Sequence, residues 1–227
     1  MSPHNRTLTP RIDVSVMKTS LLLLVAILLF AAQAGAANLI QNGSFQTNDF
    51  TDWTIGTTSN GSWGSGYPVV AGWPLGGMNA AQGQVGEVNF DQTQQGGTLT
   101  QTFVSAGGAA TENLLWAATD PFGQNADGGE FTMFLNGVQI AQFDSGTINQ
   151  GQTLNGTLSA SVPLVAGTNT LEIVVSRSFT SVPPNSTPFQ YVTGVDVEGT
   201  VPEPSSILLL GIGALGLAGV LRRKLGF

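Results

Sequence analysis

The sequence predicts an all-β, antiparallel β-sandwich in the middle of the chain, between an apolar leader and an apolar tail. Residues 37–201 contain 24 glycines, and several of their stretches alternate apolar and polar residues. No stretch of this part shows a convincing apolar period of 3.6 residues, which an amphipathic helix would need. Short strands separated by turns every 8–12 residues are typical of a sandwich.

Strand-like alternation marks six segments of this middle part. Asn136-Gly137 separates two of them and predicts a hairpin turn, because both turn residues tolerate a positive φ. Residues 166–169 join two others, which we expect to pair with each other. The predicted strands are residues 98–104, 130–135, 138–143, 154–165, 170–176 and 190–197.

The leader has the organisation of a secretory signal peptide. Lys18 precedes an apolar run, Leu21–Ala32, that is short for a permanent anchor, and Ala34-Gly35-Ala36 follows it. We therefore predict that residues 17–36 are a signal peptide read by the Sec translocon and cleaved after Ala36, with cleavage after Ala37 as the second choice. An uncleaved anchor helix is the alternative. Residues 1–16 add nothing that a signal needs and are interpreted as an over-called start or an extended n-region.

The charges are unevenly distributed along the chain. Residues 1–36 and residues 202–227 each carry a net charge of +2, whereas residues 37–201 contain one cation, Arg177, and twelve carboxylates. This net charge of −11 excludes binding to a run of nucleic-acid phosphates. The middle part also has no His, Cys or Lys, which excludes histidine-dependent nucleophilic catalysis, His/Cys zinc sites and lysine chemistry.

The tail combines a proline-flanked glutamate with an apolar stretch and a basic end. Residues 205–221 are just long enough to cross a bilayer as a helix. The tail resembles the PEP-CTERM sorting signal of Gram-negative bacteria. That resemblance implies a membrane-anchored precursor at the inner membrane, processing by an exosortase, and delivery to the cell surface or extracellular matrix of an exopolysaccharide-producing host. The residues that carry the motif are Val201, Pro202, Glu203, Pro204, Arg222, Arg223 and Lys224.

The middle part has a looser resemblance to galactose-binding-like jelly rolls, a fold shared by many carbohydrate-binding modules. Residues 38–45 and 52–54 resemble its first strand and the segment that follows. Residues 165–171 resemble the loop into a late strand, and residues 195–197 resemble the closing strand. The second Asp often found beside the one in that strand is missing next to Asp196.

Aromatic residues in a glycine-rich stretch suggest one candidate binding site. Trp63, Tyr67 and Trp73 could offer flat faces to the C–H face of a saccharide; alternatively, these rings cover the ends of the core. Trp53, which alternation places on the same face as Ile55, and Trp116, beside Leu114-Leu115, are assigned to the core.

An acidic loop suggests a second candidate site, for calcium. Asp120, Asn125, Asp127 and Glu130 offer the oxygen ligands that Ca²⁺ takes. Their spacing does not fit an EF-hand, and a solvated acidic loop is the alternative. Calcium is the one cofactor that the sequence suggests.

Together these observations predict an exported, non-catalytic matrix protein whose sandwich could bind exopolysaccharide. Two alternatives use the same residues. Twelve carboxylates could include the pair that a glycoside hydrolase needs, although no motif selects one. The protein could instead be a purely structural matrix or adhesion protein with no specific ligand.

Overall fold

The computed structural model describes residues 36–88, 93–121, 125–177 and 188–200. The predicted signal peptide, except its last residue Ala36, and the predicted helix 205–221 lie outside these residues. Within the part of the chain that is described, no helix is long and apolar enough to cross a membrane.

The described residues form thirteen strands. Two of them, β7 and β12, have 25 residues each, far longer than the short strands expected from the spacing of turns. The strands are β1 (Ala36–Asn38), β2 (Thr54–Thr57), β3 (Gly61–Ser62), β4 (Val69–Gly72), β5 (Asn79–Gly83), β6 (Gly86–Glu87), β7 (Gln95–Thr119), β8 (Ala126–Asp127), β9 (Glu130–Leu135), β10 (Val138–Asp144), β11 (Thr147–Ile148), β12 (Thr153–Arg177) and β13 (Phe189–Thr200).

The two long strands pair antiparallel along their whole length and are shared by both layers of the sandwich. The first half of β7 and the second half of β12 lie in one layer with β2, β9 and β10. The second half of β7 and the first half of β12 lie in the other layer with β13, β5, β4 and β1. All these pairings are antiparallel, so the predicted fold class is confirmed.

A change of alternation marks the bend between the layers. In β7, the odd-numbered Leu99 and Phe103 point into the core, whereas the even-numbered Ala110 and Leu114 do so further along the strand. Gly107 and Gly108, between these two stretches, have φ angles of 85° and 105°, which β-branched or bulky residues would resist. The long strands thus fold over, and both inner faces contribute to one apolar core.

The predicted pairing of residues 154–165 with residues 170–176 is wrong. Both segments belong to β12, and residues 166–169 form its bend. Each half of β12 pairs with a different half of β7. A strand that crosses between layers has the same sequence pattern as a hairpin, because both need turn-forming residues between two alternating runs.

Other local predictions are confirmed. Residues 130–135 form β9, and β10 follows directly after a turn in which Asn136 and Gly137 have φ angles of 52° and 78°. Trp53 and Trp116 are buried in the core. Ile55 is 43% exposed, however, so it does not share a buried face with Trp53.

One carboxylic acid, Glu112, lies among the apolar core residues. Its side chain is fully buried, on the inner face of β7 between Ala160 of β12 and Val197 of β13. Neither carboxyl oxygen has a hydrogen-bond partner. Burial raises the pKa of Glu112 to about 7, because the ionised form would lose its hydration.

Candidate functional site

Trp63 does not provide an exposed aromatic face. Its side chain is only 4% exposed and belongs to the core. The indole Nε1 donates a hydrogen bond of 2.8 Å to the carbonyl oxygen of Gly56. Gly83 and Gly97 leave no room for a Cβ against the ring, so two glycines distant in sequence create its pocket. Trp63 lies outside the strands, between β3 and β4, as its glycine-rich surroundings suggest. The prediction that its ring is available for stacking is nevertheless wrong, because the side chain is buried.

The other two rings of the predicted site are also engaged within the protein. Tyr67 is half-buried, and its ring centroid lies 6.0 Å from that of Phe189. Trp73 is buried and meets Tyr191 edge-on, with centroids 6.3 Å apart. Burial raises the pKa of Tyr191, whose hydroxyl oxygen accepts a hydrogen bond of 2.8 Å from Gln82 Nε2. These rings cover one part of the sandwich, as the alternative interpretation proposed.

Two carboxylates of the predicted calcium loop act on the one cation of the sandwich. Asp120 is fully buried, and Asp127 is half-buried. Burial lowers the pKa of Arg177 to about 10, and the charges of Asp127 and Asp120 oppose this shift. No group of three or more acidic or histidine side chains in the described residues is arranged to hold a metal. Calcium binding at Asp120, Asn125, Asp127 and Glu130 stays a prediction.

A polar cleft with a volume of about 510 Å³ lies where the opening segment of the sandwich meets its last strand. We call it the terminal cleft. One wall is the opening segment, residues 38–47 together with Asp52, and the other is residues 194–196 of β13. Its lining residues are Asn38, Ile40, Gln41, Asn42, Gly43, Ser44, Gln46, Thr47, Asp52, Gly194, Val195 and Asp196.

Main-chain hydrogen bonds hold the two walls together. Val195 N donates to the carbonyl oxygen of Gly43 over 3.0 Å, and a Cβ on Gly43 would collide with that part of β13. Gln101 of β7 fixes the opposite side, since its Nε2 donates to the carbonyl oxygen of Gln41 (2.9 Å) and its Oε1 accepts from Gln41 N (2.7 Å). The opening segment is therefore positioned by the core, although it has no regular secondary structure after Asn38, the last residue of β1.

The loop that leads to Asp52 is held by one amide. Asn42 Nδ2 donates to the carbonyl oxygens of Asp49 and Thr51, each over 3.1 Å. The carbonyl oxygen of Asn42 accepts a hydrogen bond of 3.1 Å from Nε1 of the buried Trp53. Asp52 has a φ angle of 71° and is exposed. The buried indole thus positions a carboxylate at the rim of the cleft.

A row of polar side chains continues from the terminal cleft across the outer face of the sheet. Asn113 of β7 donates from Nδ2 to Asp196 Oδ1 over 2.8 Å. Ser159 of β12 donates from Oγ to Asn113 Oδ1 over 2.7 Å. The three residues lie on adjacent strands in register. Asp196 keeps a second carboxyl oxygen that can accept a hydrogen bond from a ligand.

Both segments that form the walls of the terminal cleft could be recognised in the sequence, but their proximity in the fold could not. Residues 38–45 and 195–197 were each assigned to a terminal strand of a jelly roll, and Asp52 and Asp196 were not chosen as a pair. The useful signal was the position of these segments at the two ends of the domain, because first and last strands are often neighbours.

The comparison with protein families identifies one part of the chain. Residues 200–224 match the model of the PEP-CTERM protein-sorting motif, which confirms the resemblance of the tail. The chain therefore carries the motif of exported, exosortase-processed surface proteins. No curated protein matches the chain.

Several solved structures are similar to the sandwich at low sequence identity. TmCBM61, solved with β-1,4-galactotriose, is 10% identical, with a TM-score of 0.42 over 71% of this chain and 98% of that one. A family 35 carbohydrate-binding module from Clostridium thermocellum is 12% identical, with a TM-score of 0.32 over 66% of this chain and 94% of that one. The CBM22-1–GH10 modules of xylanase 10B from the same organism, complexed with xylohexaose, are 13% identical. Their TM-score is 0.42, over 72% of this chain and 29% of that one.

Proposed function

We propose that this protein is a non-catalytic surface or matrix component whose sandwich binds polysaccharide at the terminal cleft. The sorting motif at residues 200–224 supports an extracellular place of action. In that setting, after export and exosortase processing in a Gram-negative host, exopolysaccharide is the ligand that the cleft would meet.

The chemistry of the terminal cleft is the observation that carries this proposal. A sugar presents hydroxyl groups that both donate and accept hydrogen bonds. The cleft offers carboxylates as acceptors (Asp52, Asp196), hydroxyls (Ser44, Thr47) and the exposed amide side chain of Gln41. Its volume of about 510 Å³ is within the range of small-ligand sites.

A conservative pair of substitutions tests the cleft. Asp52→Asn and Asp196→Asn each remove a charge while keeping an oxygen acceptor, and Asn tolerates the positive φ at position 52. We expect either variant to weaken retention on an immobilised exopolysaccharide panel about five- to tenfold, because a hydrogen bond to a charged acceptor is replaced by a weaker one to a neutral acceptor. The melting temperature should change little.

Asp144→Asn is the matched control, because Asp144 is exposed and does not line the cleft. Unaltered retention in both cleft variants would contradict the proposal. The hydrolase alternative predicts a different result, since Asp52 and Asp196 share one cleft. Release of reducing ends by the wild type that disappears in both variants would favour that carboxylate-pair chemistry.

A second experiment tests the sorting step. Replacing Pro202, Glu203 and Pro204 with Ala leaves the apolar stretch 205–221 unchanged but removes the motif. We expect unprocessed precursor to accumulate in the membrane fraction and the surface fraction to fall. Replacing Ser205 and Ser206 with Ala is the control. Normal surface delivery of the motif variant would mean that the tail acts only as an anchor.

A further inference from the structure

This inference rests on the proposed function and concerns the charge of the ligand. Residues 37–200 contain a single cationic side chain, Arg177, against twelve carboxylates. Arg177 is fully buried at the end of β12. The surface of the sandwich therefore presents no cationic side chain to a ligand.

Arg177 is committed to the interior by its surroundings. Its Nη1 donates to the carbonyl oxygen of Val85 over 3.4 Å. Gly129 comes so close that a Cβ there would lie 3.4 Å from Arg177 Cγ. The charges of Asp127 and Asp120 also favour its ionised form. A guanidinium held in this way has no route to a ligand at the surface.

The carboxylates, in contrast, are mostly accessible. Of the eleven carboxylates in the described residues, eight are exposed or half-buried, and two of these, Asp52 and Asp196, line the terminal cleft. Glu198 is exposed two residues beyond Asp196 on the same strand. The accessible carboxylates are Asp49, Asp52, Asp127, Glu130, Asp144, Glu172, Asp196 and Glu198.

We infer that the terminal cleft selects a polysaccharide whose bound segment carries no negative charge. Hydroxyl groups of an uncharged sugar can donate to Asp52 and Asp196. A uronate, sulfate or pyruvate group would meet these carboxylates with no cation to pair with it. Repulsion from the remaining surface adds to this local effect, because it acts over a Debye length of about 10 Å at 0.1 M salt.

Matched polymer pairs test the inference. The probe is the full chain with the six cationic residues of its two ends replaced by Gln, so that these ends cannot bind an anionic polymer. It is kept soluble in a polyoxyethylene detergent without a sugar headgroup. It is applied to columns of dextran and dextran sulfate, of cellulose and carboxymethyl cellulose, and of methyl-esterified and free polygalacturonate. All columns contain EDTA and about 20 mM salt, where the Debye length is roughly 20 Å. We expect at least one uncharged polymer to retain the protein about tenfold more strongly than its anionic partner does.

A charge-reversal variant separates electrostatics from differences in backbone chemistry. Glu198→Lys should reduce the ratio of retention on an uncharged polymer to retention on its anionic partner. Asp144→Lys, in β10, should reduce this ratio less. Raising the salt to about 0.5 M should also reduce it.

If an anionic polymer retains the protein as strongly as its uncharged partner does, or more strongly, the inference is overturned. The proposal that the protein binds polysaccharide then still stands. The inference is also overturned if an anionic polymer retains the protein only when Ca²⁺ replaces EDTA, because a bridging metal would then set the selectivity. Retention of neither member of any pair contradicts the proposed function, and the inference fails with it.

Discussion

At the scale of single residues, Glu112 makes the stability of the sandwich depend on pH. Its pKa of about 7 in the folded protein lies above the ordinary value of 4.5 because the carboxyl is buried. A folded state that holds its proton more tightly is stabilised at acidic pH, and this stabilisation is lost as the pH rises from about 4.5 to about 7. The loss amounts to about 3 kcal/mol.

Glu112→Gln isolates this effect, because glutamine is neutral at every pH. We expect the free energy of unfolding of the variant, relative to the wild type, to rise by up to about 3 kcal/mol between pH 4.5 and pH 7 and then to level off. Urea unfolding at a series of pH values measures it. Glu198→Gln, which removes an exposed carboxylate, reports the effect of net charge alone. If the free energy of unfolding of Glu112→Gln differs from that of the wild type by the same amount at every pH, the raised pKa of Glu112 is contradicted.

Trp63 shows why a binding site is harder to read from sequence than a fold. Its sequence neighbours, Ser62 and Gly64, are small and offer the ring nothing to pack against. Gly83 and Gly97 in fact leave space for the ring. These glycines are 20 and 34 residues away in sequence, so local pattern carried no information about them. Trp116 was assigned correctly from the apolar residues beside it, Leu114-Leu115. Trp53 is also buried, although Ile55, on which its assignment rested, is exposed.

At the scale of elements, the bend of β12 depends on one buried amide. Asn169 is fully buried, its Oδ1 accepts from Val165 N (3.1 Å), and its Nδ2 donates to the carbonyl oxygen of Val165 (2.8 Å). Asn136 of the neighbouring turn also donates to Asn169 Oδ1, over 3.1 Å. One side chain therefore closes the bend and ties it to the β9–β10 hairpin.

Asn169→Ala should destabilise the fold by about 2–4 kcal/mol, because it leaves buried polar groups without partners. Thr168→Ala, at an exposed position of the same bend, should change stability by less than about 0.5 kcal/mol. Chemical unfolding of the two variants makes the comparison. Equal stabilities would mean that Gly167, with a φ angle of 101°, sets the bend without help from Asn169.

Elements with local signals were predicted well, and those defined by long-range pairing were not. Strand β9 and its Asn-Gly turn follow from alternation and turn chemistry alone. The continuity of β7 and β12 through both layers cannot be predicted in this way. In β7 the alternation of apolar and polar residues changes phase at Gly107-Gly108, so the sequence resembles two short strands. The terminal cleft was missed for a related reason, since Asp52 and Asp196 come to line one cleft only after the last strand has paired.

At the scale of the whole molecule, the two ends of the sandwich lie side by side. Ala37 and Asn38 of β1 pair with Gly199 and Glu198 of β13. Asn38 Oδ1 also accepts hydrogen bonds from Ile40 N (2.9 Å) and Val197 N (3.1 Å). The first and last strands therefore complete one sheet, and the sorting motif begins at the end of that sheet, at residue 200.

Residues 37–200 should consequently fold alone into an all-β domain. We expect a far-ultraviolet circular dichroism spectrum without substantial helix and a single cooperative thermal transition.

A shorter fragment, residues 41–200, lacks β1 and the buried Leu39 and Ile40. Burial of these two side chains contributes about 3–6 kcal/mol, a large share of the roughly 5–15 kcal/mol that stabilises a domain. The shorter fragment should therefore melt at a much lower temperature. Substantial helix in the longer fragment would contradict the sandwich, and equal melting temperatures would show that β1 contributes nothing to it.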